Sequence, residues 1–268
     1  MRLILASIGN NQTEKFAIEE IVRLIKKMDK NMTLDVRRYF DKDETVKNAL
    51  WVGLDGSVEK SEDDHIVVKV ENGAGGITGS NERSVLMAAY RFMYELGCRY
   101  LYPGADGEKI PVRSLDYKDL KASVDETPSY RHRVICIEGS VSYEHVYNMI
   151  DWLPKVGMSG FYTQFFVPTV FFDRYYKRFY EDETDRDYGN KITDDDISAM
   201  MNMLNDELTK RDIYQHAIGH GWSSAPYGLV ASGWDIYTGE ISDELRNDLA
   251  LYKGKRDFFE GKPLCTQL

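Results

Sequence analysis

Residues 66–103, IVVKVENGAGGITGSNERSVLMAAYRFMYELGCRYLYP, hold the passage on which the fold turns. Val67, Val68 and Val70 favour a pleated strand. Asn72-Gly73 is a turn pair, and a short return strand over residues 75–78 follows from it. Asn81 is a suitable cap for a helix whose apolar positions are Val85, Leu86, Ala89, Phe92, Met93 and Leu96. Gly97 supplies the left-handed residue that ends such a helix. Two different functions begin with a strand, glycines and a helix, so the spacing has to choose between them.

A nucleotide site is the first. Glycines ahead of a helix let backbone N–H groups approach a phosphate. Counting from Gly73, the sixth residue of a dinucleotide fingerprint is Thr78 where glycine is needed. A phosphate-binding loop needs lysine after its last glycine, yet Gly79 is followed by Ser80 and Asn81. The spacing favours a tight connection between packed elements.

Outward from this stretch, the chain has the composition of a globular protein: 43% hydrophobic and 29% charged residues over 268 positions, enough for one large domain or two modest ones. Thirty-four basic against 44 acidic residues leave a net charge of −10, which argues against a broad nucleic-acid or anionic-membrane surface. Cys98, Cys136 and Cys265 are odd in number and lack metal spacing, so neither a disulfide framework nor a metal or other cofactor is expected. The opening MRLILASIGNN is too short an apolar run for a secretory signal or a span, and a cytoplasmic setting is the default.

The first half reads as a small α/β domain over residues 1–127. Strands are predicted at 2–8, 34–40, 49–54 and 65–70, with a helix over 13–28 whose inward face is Ala17, Ile21, Leu24, Ile25 and Met28. Residues 106–127 are charged and weakly patterned, and read as a linker ending at Pro128.

Residues 128–268 read as the start of a second architecture. RHRVICIE (131–138) is a strand, Ser142 caps a helix bearing Val146, Met149, Ile150 and Leu153, and GFYTQFFV (160–167) is the next strand. A long aromatic loop leads to a helix from about residue 193, acidic at its start and basic at its end. IYQHAIGH (213–220) is the third strand. Strand–helix–strand alternation implies a parallel sheet. Fewer residues follow Tyr130 than the roughly 250 an eight-fold barrel takes. The expectation is therefore an incomplete (β/α) barrel of about three units, with 263–268 opening a fourth strand, and hence the front part of a longer protein.

GAGGITGSNERSVLMAAYRFMYELGCRYLYPG resembles the end of the small domain preceding the barrel in α-glucuronidases and β-hexosaminidase-like glycoside hydrolases. The match lies at Ile77, Gly79, Phe92, Leu96, Gly97, Arg99 and Pro103, with departures at Ser84, Met93 and Tyr100. RVICIEGSVSYEHVYNMIDWLPKVGMSGFYTQF resembles the first βαβ unit of such a barrel. GHGWSSAPYGL resembles the loop after its third strand. The resemblance implies an α/β fold with a TIM-type barrel, a carbohydrate partner, and a histidine lining the sugar site where His220 stands. It also implies that the catalytic carboxylates fall past Leu268, so this chain alone is expected to be inactive.

Barrel sites gather at the C-terminal strand ends. There, Glu138 is either an acceptor for sugar hydroxyls or the partner of an arginine, and Gln164 either bonds sugar or satisfies a core backbone group. His216 and His220 share a strand face but lack a third ligand for zinc, which leaves His220 as a sugar-lining residue. Trp222 offers a flat face to a pyranose ring or a lid over the barrel end. Phe171, Phe172, Tyr175 and Tyr176 line a cleft or anchor their loop. Three functions stay open: a glycoside hydrolase working through two carboxylates, a non-catalytic carbohydrate-binding or structural remnant, and a nucleotide-binding α/β enzyme.

Overall fold

The computed structural model describes residues 2–43, 45–137, 139, 141–163, 172, 175–176, 193–217, 242–249, 251, 253–256, 258–259 and 262–263. Arg2–Ile8 forms β1, and Gln12–Met28 forms α1. The helix starts where Asn11 and Glu14 make a reciprocal capping box, and its last turn carries Lys26 and Lys27 against the dipole. Thr33–Tyr39 (β2) lies parallel to β1 on one side, and Ala49–Val52 (β3) lies parallel to it on the other.

Ile66–Glu71 (β4) turns through Asn72 (φ 52°) and Gly73 (φ 76°) into Ala74–Gly79 (β5). Two successive positive φ angles give the hairpin the twist its strands need. β5 runs antiparallel to β4 and parallel to β3, making a mixed sheet. Asn81 then caps Glu82–Glu95 (α2) by accepting from the Ser84 backbone N–H. At its far end Cys98 N–H donates to the Met93 carbonyl and Gly97 N–H to the Tyr94 carbonyl, with Gly97 at φ 107°. That is a Schellman closure, and it accounts for the glycine.

Arg99–Tyr100 (β6) pairs antiparallel with Glu108–Lys109 (β7). Residues 106–127, expected to be a linker, contain Ala122–Glu126 (β8), which pairs antiparallel with β4 at the sheet edge. Its apolar content is slight, Val124 and Ala122 alone facing the core, so backbone bonds to β4 hold it rather than a pattern visible in sequence.

The resulting six-stranded sheet has the order β2-β1-β3-β5-β4-β8. Alternation assigns its faces. Leu3, Leu5, Leu50, Val52, Val68, Val70 and Ile77 meet the apolar stripes of α1 and α2 in one core. Each such side chain contributes about 1.5–3 kcal/mol when fully buried. Among the described residues the second face carries a small cluster, Ala6, Ile8, Ala49 and Trp51, with Ile4, Tyr39 and Val46 against it.

Beyond β8, Val134–Ile137 (β9), Tyr143–Trp152 (α3), Gly160–Thr163 (β10), Asp194–Lys210 (α4) and Tyr214–Ala217 (β11) follow in turn. Their sheet order is β11-β10-β9, chain order with a helix in each connection. Gly160 N–H donates to the Arg133 carbonyl and Tyr214 N–H to the Ser159 carbonyl, so the three strands start side by side, as parallel strands do. Thr193 and Asp196 cap α4 reciprocally, and Ile197, Leu204 and Leu208 are its buried stripe. Asp243–Asp248 (α5) and the short antiparallel pair Phe258–Phe259 (β12) and Lys262–Pro263 (β13) come last among the described elements. Among the described residues no helix is long and apolar enough to cross a membrane.

The chain divides into two compact units. One is Met1–Ile135 with Glu144–Phe161 and Asn202–Tyr214; the other is Cys136–Tyr143, Tyr162–Met201 and Gln215–Leu268. Within the first, buried ion pairs tie the α/β sheet to later elements. Asp64 accepts from Arg83 at 2.8 Å and also from Arg133, while Arg83 stacks its guanidinium 4.3 Å from the centre of the Tyr214 ring. Arg23 reaches both Glu20 and Glu108, Lys155 bridges Glu108 and Asp151, and Arg211 continues from Asp151 to Glu207.

Candidate functional site

β9, β10 and β11 present the strand ends to which a saccharide site was assigned. Glu138 follows Ile137 directly, Gln164 follows Thr163, and His220 and Trp222 come soon after Ala217. All four lie outside the described residues, as does Phe171. Phe172 is buried, Tyr175 and Tyr176 meet edge to face at 5.0 Å, and the Tyr176 hydroxyl accepts from Tyr143 N–H at 3.1 Å. These contacts favour the loop-anchor reading of the aromatic group. His216 lies in β11; among the described residues no group of three or more His, Cys, Asp or Glu side chains is arranged to hold a metal.

The glycines behind the nucleotide reading sit elsewhere than that reading needs. Gly75 and Gly76 are inside β5, paired on both sides, rather than in a loop before α2. The N-terminus of α2 is itself taken up by Asn81 and Ser84, and Arg83 is held by Asp64. A crevice of about 450 Å³ does open beside it, but Glu62, Glu82 and Asp212 line it along with Lys60 and would repel phosphate. Nearby Glu14 fills the end of the parallel strands. It accepts from Leu54 N–H at 3.0 Å, and burial pushes its carboxyl up despite that bond and the one from Asn11.

A cavity of about 860 Å³ opens on the second face of the six-stranded sheet. β3, β5 and β4 floor it with Trp51, Gly76, Thr78, Val67 and Lys69. The segments before and after β3 bring in Lys42, Lys47, Asp55 and Glu59. Two of its acids have partners. Asp125 meets His65 Nε2 at 2.8 Å, and that bond holds its carboxyl below the ordinary range. Asp55 lies 3.7 Å from Lys42 Nζ. Trp51 packs against the Tyr39 ring, with centroids 5.1 Å apart and the planes tilted by 56°.

Sequence reasoning passed over this cavity. The signal present was the parity of β4, where Ile66, Val68 and Val70 point one way and Val67 and Lys69 the other. A lysine on one face and paired glycines in the next strand mark a face that no helix covers among the described residues. What no single strand discloses is which residues stand opposite one another.

No family model matches the chain, and no curated protein matches it. Among solved structures it is similar to a GH138 enzyme targeting pectin rhamnogalacturonan II, with 12% sequence identity and a TM-score of 0.48 over 91% of this chain. The chain spans about 28% of that enzyme's length.

Proposed function

We propose that this chain belongs to a carbohydrate-active protein of the glycoside hydrolase type, α-glucuronidase-like or hexosaminidase-like, in which residues 1–127 precede the opening units of a (β/α) barrel. The observation that carries the reading is the run β9, α3, β10, α4, β11. Three strands lie in chain order, start side by side, and have a helix in each connection, and in sequence they follow a small mixed α/β sheet. A barrel built this way presents its ligand groups after the C-terminal strand ends.

In this reading Glu138 and Gln164 accept and donate to sugar hydroxyls, His220 lines the ring, and Trp222 covers its apolar face. These four side chains bind and orient. Cleavage of a glycosidic bond requires a carboxyl to protonate the leaving oxygen and a second carboxylate to activate water or attack the anomeric carbon.

Calorimetric titration with glucuronic acid and with N-acetylglucosamine tests the assignment. One of the two should release heat on binding, and His220→Ala or Trp222→Ala should weaken it at least tenfold. Flat traces for both sugars with the unaltered chain would remove the strand-end site.

A further inference from the structure

The six-stranded sheet ends in two unlike edges. β8 forms one with five residues whose only charges are the acids Asp125 and Glu126, and Pro128 follows soon after. Acid set against acid repels and proline cannot donate, so that edge is guarded against a further strand. β2 forms the other with seven residues, TLDVRRY, in unbroken register with β1 and without proline. Among the described residues no strand pairs along its outer side. The Tyr39 carbonyl accepts from Gly9 N–H at 3.1 Å, so the backbone groups of Tyr39 face β1. Alternate residues of a strand turn these groups to opposite sides, which directs the N–H and C=O of Leu34, Val36 and Arg38 outward.

Register with β1 also assigns the side chains. Leu34 and Val36 stand opposite Leu3 and Leu5, on the side of α1. Asp35, Arg37 and Tyr39 stand opposite Ile4, Ala6 and Ile8, on the second face. Val36 is 45% exposed, and Phe40, just past the strand, is 88% exposed. Asp35 accepts from Arg2 and twice from Arg37, and all three bonds fall on Oδ2. Its Oδ1 takes no bond among the described residues.

We propose that β2 is the surface through which two copies of this chain pair, strand against strand and antiparallel, about a two-fold axis at Val36. In that register Val36 meets Val36 of the second copy, Leu34 meets Arg38, and Asp35 meets Arg37. Outward-facing residues exchange both backbone bonds with the residue opposite, so Leu34, Val36 and Arg38 supply about six bonds. Asp35 and Arg37 then occupy the pairs without backbone bonds, where opposite Cα atoms lie about 4.5 Å apart and side chains come closest. Around the axis their charges alternate, acid, base, acid, base, and Oδ1 of each Asp35 is the open acceptor. The two nearest registers that keep the faces aligned set Asp35 against itself or Arg37 against itself, and like charges directly opposite destabilise a pair. One strand thus selects a second copy of itself in one register, which is the self-complementarity of a two-fold interface. Phe40 of each copy falls beside the start of β2 in the other and is covered there. A pairing this short covers less than a standard interface and draws on main-chain bonds, so the dimer is a weak one. It is independent of what the barrel strand ends bind.

Sedimentation velocity of the full chain, from low micromolar to millimolar concentration, tests the pairing. The unaltered chain should pass from monomer to dimer. Val36→Pro removes an N–H that points away from β1, a place where a sheet edge tolerates proline, and should abolish the dimer. Asp35→Arg and Arg37→Asp should each be monomeric alone, because each sets like charges opposite one another. Mixed in equal amounts they should form a heterodimer, whose appearance also shows that both variants are folded. A chain that stays monomeric at millimolar concentration overturns the proposal and leaves the edge to a strand of another protein. Dimers that survive Val36→Pro overturn it too, since another surface then joins the copies. Charge variants that remain monomeric on mixing overturn the register and the proposal with it.

Discussion

Gly75 and Gly76 are neighbours in one strand, yet a methyl group would meet quite different surroundings at each. At Gly75, φ is 138° and an added Cβ would fall 2.0 Å from the Lys69 carbonyl oxygen. At Gly76 the nearest atom would be 3.8 Å away. Gly75→Ala should therefore cost at least the roughly 1–3 kcal/mol of a strained backbone, with a steric clash added. Gly76→Ala should be neutral or stabilising by about 0.4–1 kcal/mol, because it restricts the unfolded chain. Urea midpoints of the two variants check this, and equal midpoints would contradict it. Asp64 supplies a second case. It and Arg83 are both buried, at 3% and 1% exposure. Asp64→Ala would strand the Arg83 charge inside the protein, and breaking such a pair costs about 3–5 kcal/mol. A loss under about 1 kcal/mol in chemical denaturation would show that Arg83 finds water or another acceptor.

At the scale of elements, helices announced themselves and edges did not. Asn81 was readable as a cap because a short polar side chain before an apolar helical stripe has one good use. In the fold it does more, donating to the Ser61 carbonyl and to Asp64 while accepting from Ser84. Asn81→Ala should cost about 1–2 kcal/mol, at the upper end for a cap, and hydrogen exchange should quicken first in the opening turn of α2. A cost confined to a few tenths would mean that the cap alone, and weakly, matters. The central strands and both helices of the first sheet were legible from period and from turn residues. β8 was hidden because a five-residue edge strand with one strong apolar contact, Val124, carries almost no pattern. The second-face cavity was hidden for a different reason. Trp51, Gly76 and Lys69 are separated in sequence and meet only through strand register, which pairing sets and composition does not. The four strand-end residues rest on βα topology and resemblance alone, and they lie outside the described residues.

For the whole molecule the deciding quantity is how protons couple to folding. Burial pushes the carboxyls of Asp64, Glu108, Asp151 and Glu207 up, but their cationic partners outweigh it. Arg83 and Arg133 hold Asp64 below the ordinary range, Arg23 and Lys155 hold Glu108 well below it, Lys155 and Arg211 hold Asp151, and Lys210 and Arg211 hold Glu207. An acid whose folded pKa is depressed binds fewer protons folded than unfolded. Its stabilisation is whole above the unfolded value, about 4, and drains away as pH falls through the folded value. Glu14 and Asp212 work in the other direction, since burial raises both. Their contribution is whole below the unfolded value and is lost as pH rises through the folded one. Glu108, Asp151 and Glu207 share Lys155 and Arg211 in one connected chain, and Asp64 pairs separately with Arg83 and Arg133; salt screens such buried or half-buried pairs little. The four depressed acids should outweigh the two raised ones. The urea midpoint should accordingly climb from about pH 2 to about pH 5 and then level, and Glu108→Gln should flatten the climb while lowering the plateau. A midpoint as high at pH 3 as at pH 7 would mean that these pairs are no stronger in the folded chain than in the unfolded one. In that event apolar burial in the α1–α2 core alone would hold the first unit together.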